Sequence, residues 1–227
     1  MRKIIACLIT IALLLSALPV LAEGHLEIQQ QTLRQNKTDY YNDVHIFVKI
    51  ANTGDEPIRV GSSSYTLMAE DGTVLIENPL VDTVGLVLQP GEYTYLCGLE
   101  YLEADQEVAD CSISINERPV YDSKTTRFDS SMDFLRIVHT DNPSNTEYFL
   151  LVSVTNPTNE TIYQLSAVGV LMDAEGTILD ISSNFLYDIG LTPGSTVVFR
   201  FPIYDEALEN VDLNAIKMDA LAGIDKY

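Results

Sequence analysis

Along most of the chain, hydrophobic and polar positions alternate with a period of two. His45-Ile46-Phe47-Val48-Lys49-Ile50 and Tyr148-Phe149-Leu150-Leu151-Val152-Ser153-Val154 are rich in β-branched and aromatic residues, the types that suit a pleated, half-buried surface. Each predicts a strand. Each also runs into a turn signal, Asn52-Thr53-Gly54 in one case and Asn156-Pro157-Thr158 in the other. Further on, Tyr65-Thr66-Leu67-Met68 passes through Glu70-Asp71-Gly72 into Thr73-Val74-Leu75-Ile76. Val170-Leu171-Met172 passes through Ala174-Glu175-Gly176 into Thr177-Ile178-Leu179 in the same way. Both predict hairpins with glycine where the turn needs positive φ. A Leu-x-Pro-Gly bend then opens strands at Tyr93 to Leu99 and at Val197 to Ile203, and last strands are expected at Cys111 to Asn116 and Ile216 to Ala220.

These correspondences form a repeat. Asn52, Glu56, Ile58, Ser62, Leu67, Met68, Gly72, Thr73 and Leu75 recur as Asn156, Glu160, Ile162, Ser166, Leu171, Met172, Gly176, Thr177 and Leu179, every pair 104 residues apart. Leu88-Gln89-Pro90-Gly91 answers Leu191-Thr192-Pro193-Gly194 at an offset of 103. Collinear identity at one long offset indicates a duplicated unit. Six or seven short strands per unit, with evenly spaced turns, is the pattern of an immunoglobulin-like sandwich. The expected fold is therefore all-β, with two tandem immunoglobulin-like β-sandwich domains at residues 23–120 and 131–227, joined by a polar linker at 121–130.

Residues 1–22 carry Arg2 and Lys3, an apolar run from Ile4 to Leu15, and Val20-Leu21-Ala22 before Glu23. This is the pattern of a signal peptide cleaved near Ala22, which makes the protein secreted or extracytoplasmic. No later stretch is long and apolar enough to predict a membrane span after cleavage. Hydrophobic residues at 46% suffice for packed cores. With 13 Lys and Arg against 33 Asp and Glu, the formal net charge of −20 repels phosphate backbones and excludes nucleic acid as a partner.

The succession Val152-Ser153-Val154-Thr155-Asn156, then Asp/Glu-Gly-Thr-aliphatic, then Leu-x-Pro-Gly, resembles the FxLYD-type and related bacterial extracytoplasmic β-sandwich domains over about 70 residues in each half. More faintly, it resembles the proteinase inhibitor family of bacilli. The resemblance implies fold and secretion, and carries no ligand or inhibitory residue with it.

Candidate chemistry is sparse. No G-x-S-x-G, phosphate-cradling or dinucleotide motif occurs, His25, His45 and His139 are scattered, and the acidic turns lack the alternating ligands of a calcium loop. No catalytic residue, cofactor or metal site is assigned, and the chain is not expected to be an enzyme. Cys97 and Cys111 are the cysteines beyond the leader. They are expected on neighbouring strands, where export permits a disulfide. At the 103-residue offset they fall on Arg200 and Asn214, so the second unit lacks both.

Strand parity singles out one further feature. If Val197, Phe199 and Phe201 face the core, the offset turns Thr94, Leu96 and Gly98 inward in the first unit and leaves Tyr93 and Tyr95 outside as candidate partner-binding residues. A bulge shifting the register would instead pack both tyrosines inside. The expected function is a non-catalytic, adhesion-type interaction protein that binds an extracellular protein or a cell-surface polymer. The alternative is a secreted protease inhibitor or enzyme accessory module.

Overall fold

A computed structural model describes residues 23–139, 146–204, 207–208 and 211–226; the expected signal peptide at 1–22 lies outside the described residues. The described chain is all-β. Its first half holds β1 (Leu26–Lys37), β2 (Tyr41–Asn52), β3 (Ile58–Val60), β4 (Ser64–Met68), β5 (Val74–Pro79), β6 (Val81–Asp82), β7 (Val87–Leu88), β8 (Tyr93–Glu103), β9 (Asp110–Ser114) and β10 (Glu117–Pro119). The second half holds β11 (Lys124–Phe128), β12 (Ser130–Val138), β13 (Thr146–Thr155), β14 (Ile162–Met172), β15 (Ile178–Leu191), β16 (Thr196–Ile203) and β17 (Lys217–Lys226).

The sheets run β1-β2-β8-β6, β10-β3-β7, β5-β4-β9, β12-β13-β16 and β11-β17-β14-β15. Every strand pairing is antiparallel and stays on one side of residue 120. Strand order repeats between the halves. β12-β13-β16 answers β1-β2-β8, and β17-β14-β15 answers the series in which β9 and β10 flank β4 and β3, with β5 and β7 beyond.

Alternation produces two of the three cores. Val44, Ile46, Val48 and Ile50 of β2 turn inward with Leu96 of β8, against Ile58, Val60, Tyr65, Leu67 and Cys111 of the facing sheets. In the second half, Val152 and Val154 of β13 and Phe199, Phe201 and Ile203 of β16 meet Leu165, Ala167 and Leu171 of β14. Fully burying one such side chain contributes about 1.5–3 kcal/mol. Val48 and Val152, the repeat-equivalent positions, are both fully buried.

The halves differ where β14 runs unbroken but its counterpart splits into β3 and β4. Gly61-Ser62-Ser63-Ser64 reads as a flexible polar strand entry, yet Ser63 is buried. It donates to the Gly61 carbonyl and accepts the Asn116 N–H, while its own carbonyl accepts from Leu80. The 121–130 stretch also departs from a plain linker. Residues 124–128 form β11 and pair with β17, because Phe128 inserts into the second core.

The repeated asparagines explain why the duplication is visible. Asn52 Nδ2 donates to the carbonyls of Glu56 (2.8 Å) and Leu88 (3.0 Å), and Asn156 Nδ2 donates to Glu160 (2.8 Å) and Leu191 (2.9 Å). Backbone bonds complete each clasp. Asn52 N–H reaches Glu92 O and Gly91 N–H reaches Asn52 O, while Asn156 N–H reaches Ser195 O and Gly194 N–H reaches Asn156 O, all at 2.9 Å. Gly91 and Gly194 have φ of 80° and 73°, the left-handed conformation that closes the Leu-x-Pro-Gly bend, and Gly72 and Gly176 occupy the same region in the hairpin turns.

Replacing Asn52 or Asn156 with Ala takes the side-chain donor from the buried Leu88 or Leu191 carbonyl and from the part-buried Glu56 or Glu160 carbonyl. Each change should destabilise the chain by about 2–4 kcal/mol in urea unfolding. A loss well under about 1 kcal/mol would show that neither clasp holds its turn.

Candidate functional site

Parity along β8 comes out as the repeat offset transfers it. Thr94 and Leu96 are buried on the core side, and Tyr93, Tyr95 and Cys97 occupy the opposite face with no bulge in the β2–β8 register. That face is not open to solvent. Tyr95 is 0% exposed and Tyr93 half-buried, because the outer face of β14, β15 and β17 packs against them. Phe47, Val84 and Tyr95 from the first half join Val168, Val170, Ile178 and Ile181 from the second in a third buried cluster. Neither alternative open in the sequence describes them: the register has no bulge, yet the candidate partner-binding residues Tyr93 and Tyr95 are covered, because they engage the second half of their own chain.

A carboxylate fastens the pair. Tyr93 Oη donates to Asp219 Oδ2 at 2.8 Å and Tyr95 Oη donates to the same oxygen at 2.5 Å. The two rings meet edge to face at 5.8 Å, and Lys49 Nζ lies 4.0 Å from the centre of the Tyr93 ring. Around this centre, Arg127 donates to the Tyr93 carbonyl at 2.7 Å, and Asp225 accepts from the N–H groups of Gly85 (3.3 Å) and Leu86 (3.1 Å). A Cβ on Gly85 would lie 2.7 Å from the Arg127 guanidinium, so glycine is what lets that arginine pass. At the other margin, Gln30 reaches the Gly176 carbonyl (3.0 Å) and Arg34 the Leu179 carbonyl (2.6 Å).

The cysteines do not pair, which corrects the expected disulfide. β8 and β9 belong to different sheets. Cys97 faces the second half, whereas Cys111 points into the first core from the facing sheet, so the β1-β2-β8 sheet stands between them. Burial pushes both thiols up to about 11, assisted by the charge of Asp180 at Cys97 and of Asp110 at Cys111. Register also revises the counterpart of Cys111. Leu67 pairs Cys111 as Leu171 pairs Met218, so the equivalent residue is Met218 rather than Asn214.

The same outer face continues past the edge of the second half, and there it is open. Register aligns Arg34 with His45 and Leu99 in one row, and Asn36 with Asp43 and Tyr101 in the next. Tyr204, beyond the end of β16, completes a groove of about 370 Å³ with these residues and Tyr41. Tyr101 is 69% exposed, Tyr204 68% and Tyr41 43%. Sequence reasoning missed this groove. Tyr101 shares the parity of Tyr93 and Tyr95 and was open to the same argument, but nothing local announces Tyr204 or Asp219.

Elsewhere the acidic turns spend their carboxylates on backbone. Asp71 accepts from Thr73 N–H, and Asp173 accepts from Gly176 and Thr177 N–H. Among the described residues, no group of three or more His, Cys, Asp and Glu side chains is arranged to hold a metal ion, and no helix is long and apolar enough to cross a membrane. Compared with known proteins, the chain matches no family model and no curated protein.

Two outcomes follow from this geometry. In protein purified without reductant, alkylation mapping should find Cys97 and Cys111 both as free thiols that react only on unfolding, since the thiolate is the reactive form; a Cys97–Cys111 cross-linked peptide would overturn the arrangement of β8 and β9. The tyrosine pair should give a pH signature. Burial first, and then the hydrogen bond to and charge of Asp219, push Tyr93 up to about 12 and Tyr95 above the ordinary tyrosine range. A raised folded value means that these phenols stabilise fully below the unfolded value of about 10, and that this contribution is lost as pH rises through the folded values. Stability should therefore fall above about pH 10. Tyr95→Phe should cost about 1.5–3 kcal/mol at neutral pH and flatten that fall; an unchanged alkaline profile would mean that the tyrosines do not carry the interface.

Proposed function

We propose that this protein is an exported, non-catalytic interaction protein composed of two tandem immunoglobulin-like β-sandwich domains, 23–120 and 131–227, separated from a cleaved leader at 1–22. The matched strand orders and the twin asparagine clasps support the duplicated sandwich. The observation that carries the functional reading is the continuous outer face of β1, β2 and β8. One end of it is committed to an internal interface, and the other presents three exposed tyrosines in a groove to which both halves contribute. Large amphipathic rings on a rigid sheet give contact area at low entropic cost, which suits recognition. The partner in this reading is an extracellular protein or a cell-surface polymer.

Placing a photo-crosslinking amino acid at Tyr101 in the full chain, expressed in the cell that makes it, tests the reading. Cross-links to a component of the cell envelope are the expected result. Cross-links to a single protease would replace this function with the inhibitor reading, and the absence of any adduct would sink both.

A further inference from the structure

We propose that the groove formed by Tyr41, Tyr101 and Tyr204 over Asn36, Asp43 and His45 binds a short neutral oligosaccharide. This rests on the interaction-protein reading above and names the ligand class of its groove.

The groove is the uncovered remainder of a sheet face whose other rows are already used for docking. The same β8 parity that supplies Tyr93 and Tyr95 to the internal interface supplies Leu99 and Tyr101 here. Its volume of about 370 Å³ lies at the small end of ligand sites, about 300–1,000 Å³. This suits a few sugar rings and not a protein surface.

Composition then selects among ligands. Each sugar hydroxyl is at once donor and acceptor, and each pyranose ring carries an apolar face of C–H groups. A site for it needs aromatic faces beside mixed planar polar groups. The exposed tyrosines provide the first. Asn36 brings both amide donors and an amide acceptor, on a row where Asp43 is its cross-strand neighbour roughly 5 Å away. An extended peptide would instead seek backbone partners at a strand edge, and this groove lies on a sheet face. An acidic polymer would meet a protein of net charge −20.

The test titrates the full chain with cellotetraose, chitotetraose and maltotetraose, with oligogalacturonate as the acidic comparison, following tyrosine ring signals by NMR and binding by calorimetry. At least one neutral tetrasaccharide should bind and shift rings of the groove. Tyr101→Ala and Tyr204→Ala should each weaken it by about tenfold or more, and Tyr121→Ala, an exposed tyrosine outside the groove, should leave it unchanged. Binding of the acidic oligomer alone, no binding at all, or ring shifts confined to tyrosines elsewhere would overturn the proposal. If no sugar binds while the Tyr101 cross-linker still captures an envelope protein, the oligosaccharide is wrong and the interaction function stands; if neither occurs, both fall.

Discussion

Everything in this molecule that depends on strand parity depends first on two buried asparagines. A side-chain amide taken out of water is costly unless its donors and acceptor are paired. Asn52 and Asn156 meet that condition only by joining three segments at once: the end of one strand, the loop that follows it, and the leucine that opens the Leu-x-Pro-Gly bend. With both ends of the bend held, β8 and β16 enter their sheets in one register. A slip by one residue would exchange every inward side chain for its outward neighbour. The clasp therefore decides which residues of β8 fill the core and which are left for another surface.

That outer surface is used differently in the two halves. Tyr93, Tyr95 and Asp219 lock the first to the second, but the positions equivalent to Tyr93 and Tyr95 by the 103-residue offset are Thr196 and Val198, and register places Ser112 where Asp219 would stand. Val198 is 54% exposed. A duplicated unit that kept the same lock on both copies would have a head-to-tail contact able to propagate into filaments. Here the lock residues occur once, so the contact closes within one chain.

Tyrosines of one strand and one parity consequently have opposite fates. Tyr95 is sealed against β14 and β17, while Tyr101, six residues on, stands in the open groove. Strand parity, the property that singled out the first tyrosines, does not distinguish them. The difference is set by where the second half ends across the face, and the groove inherits its far wall, Tyr204, from that same docking.

The all-β pattern, the hairpin glycines and the paired Leu-x-Pro-Gly bends are local or periodic properties, and the sequence by itself determined them: alternation and backbone conformation act within a few residues, whereas the parity of Tyr93 and Tyr95 stayed open between a regular strand and a bulge. The covering of the tyrosines, their convergence on Asp219, the joining of residues 124–128 to β17 and the separation of Cys97 from Cys111 were decided only by tertiary structure. Each turns on which sheet a strand enters or which face another sheet covers. Those choices come from burying side chains far apart in the chain, and no spacing along the sequence encodes them.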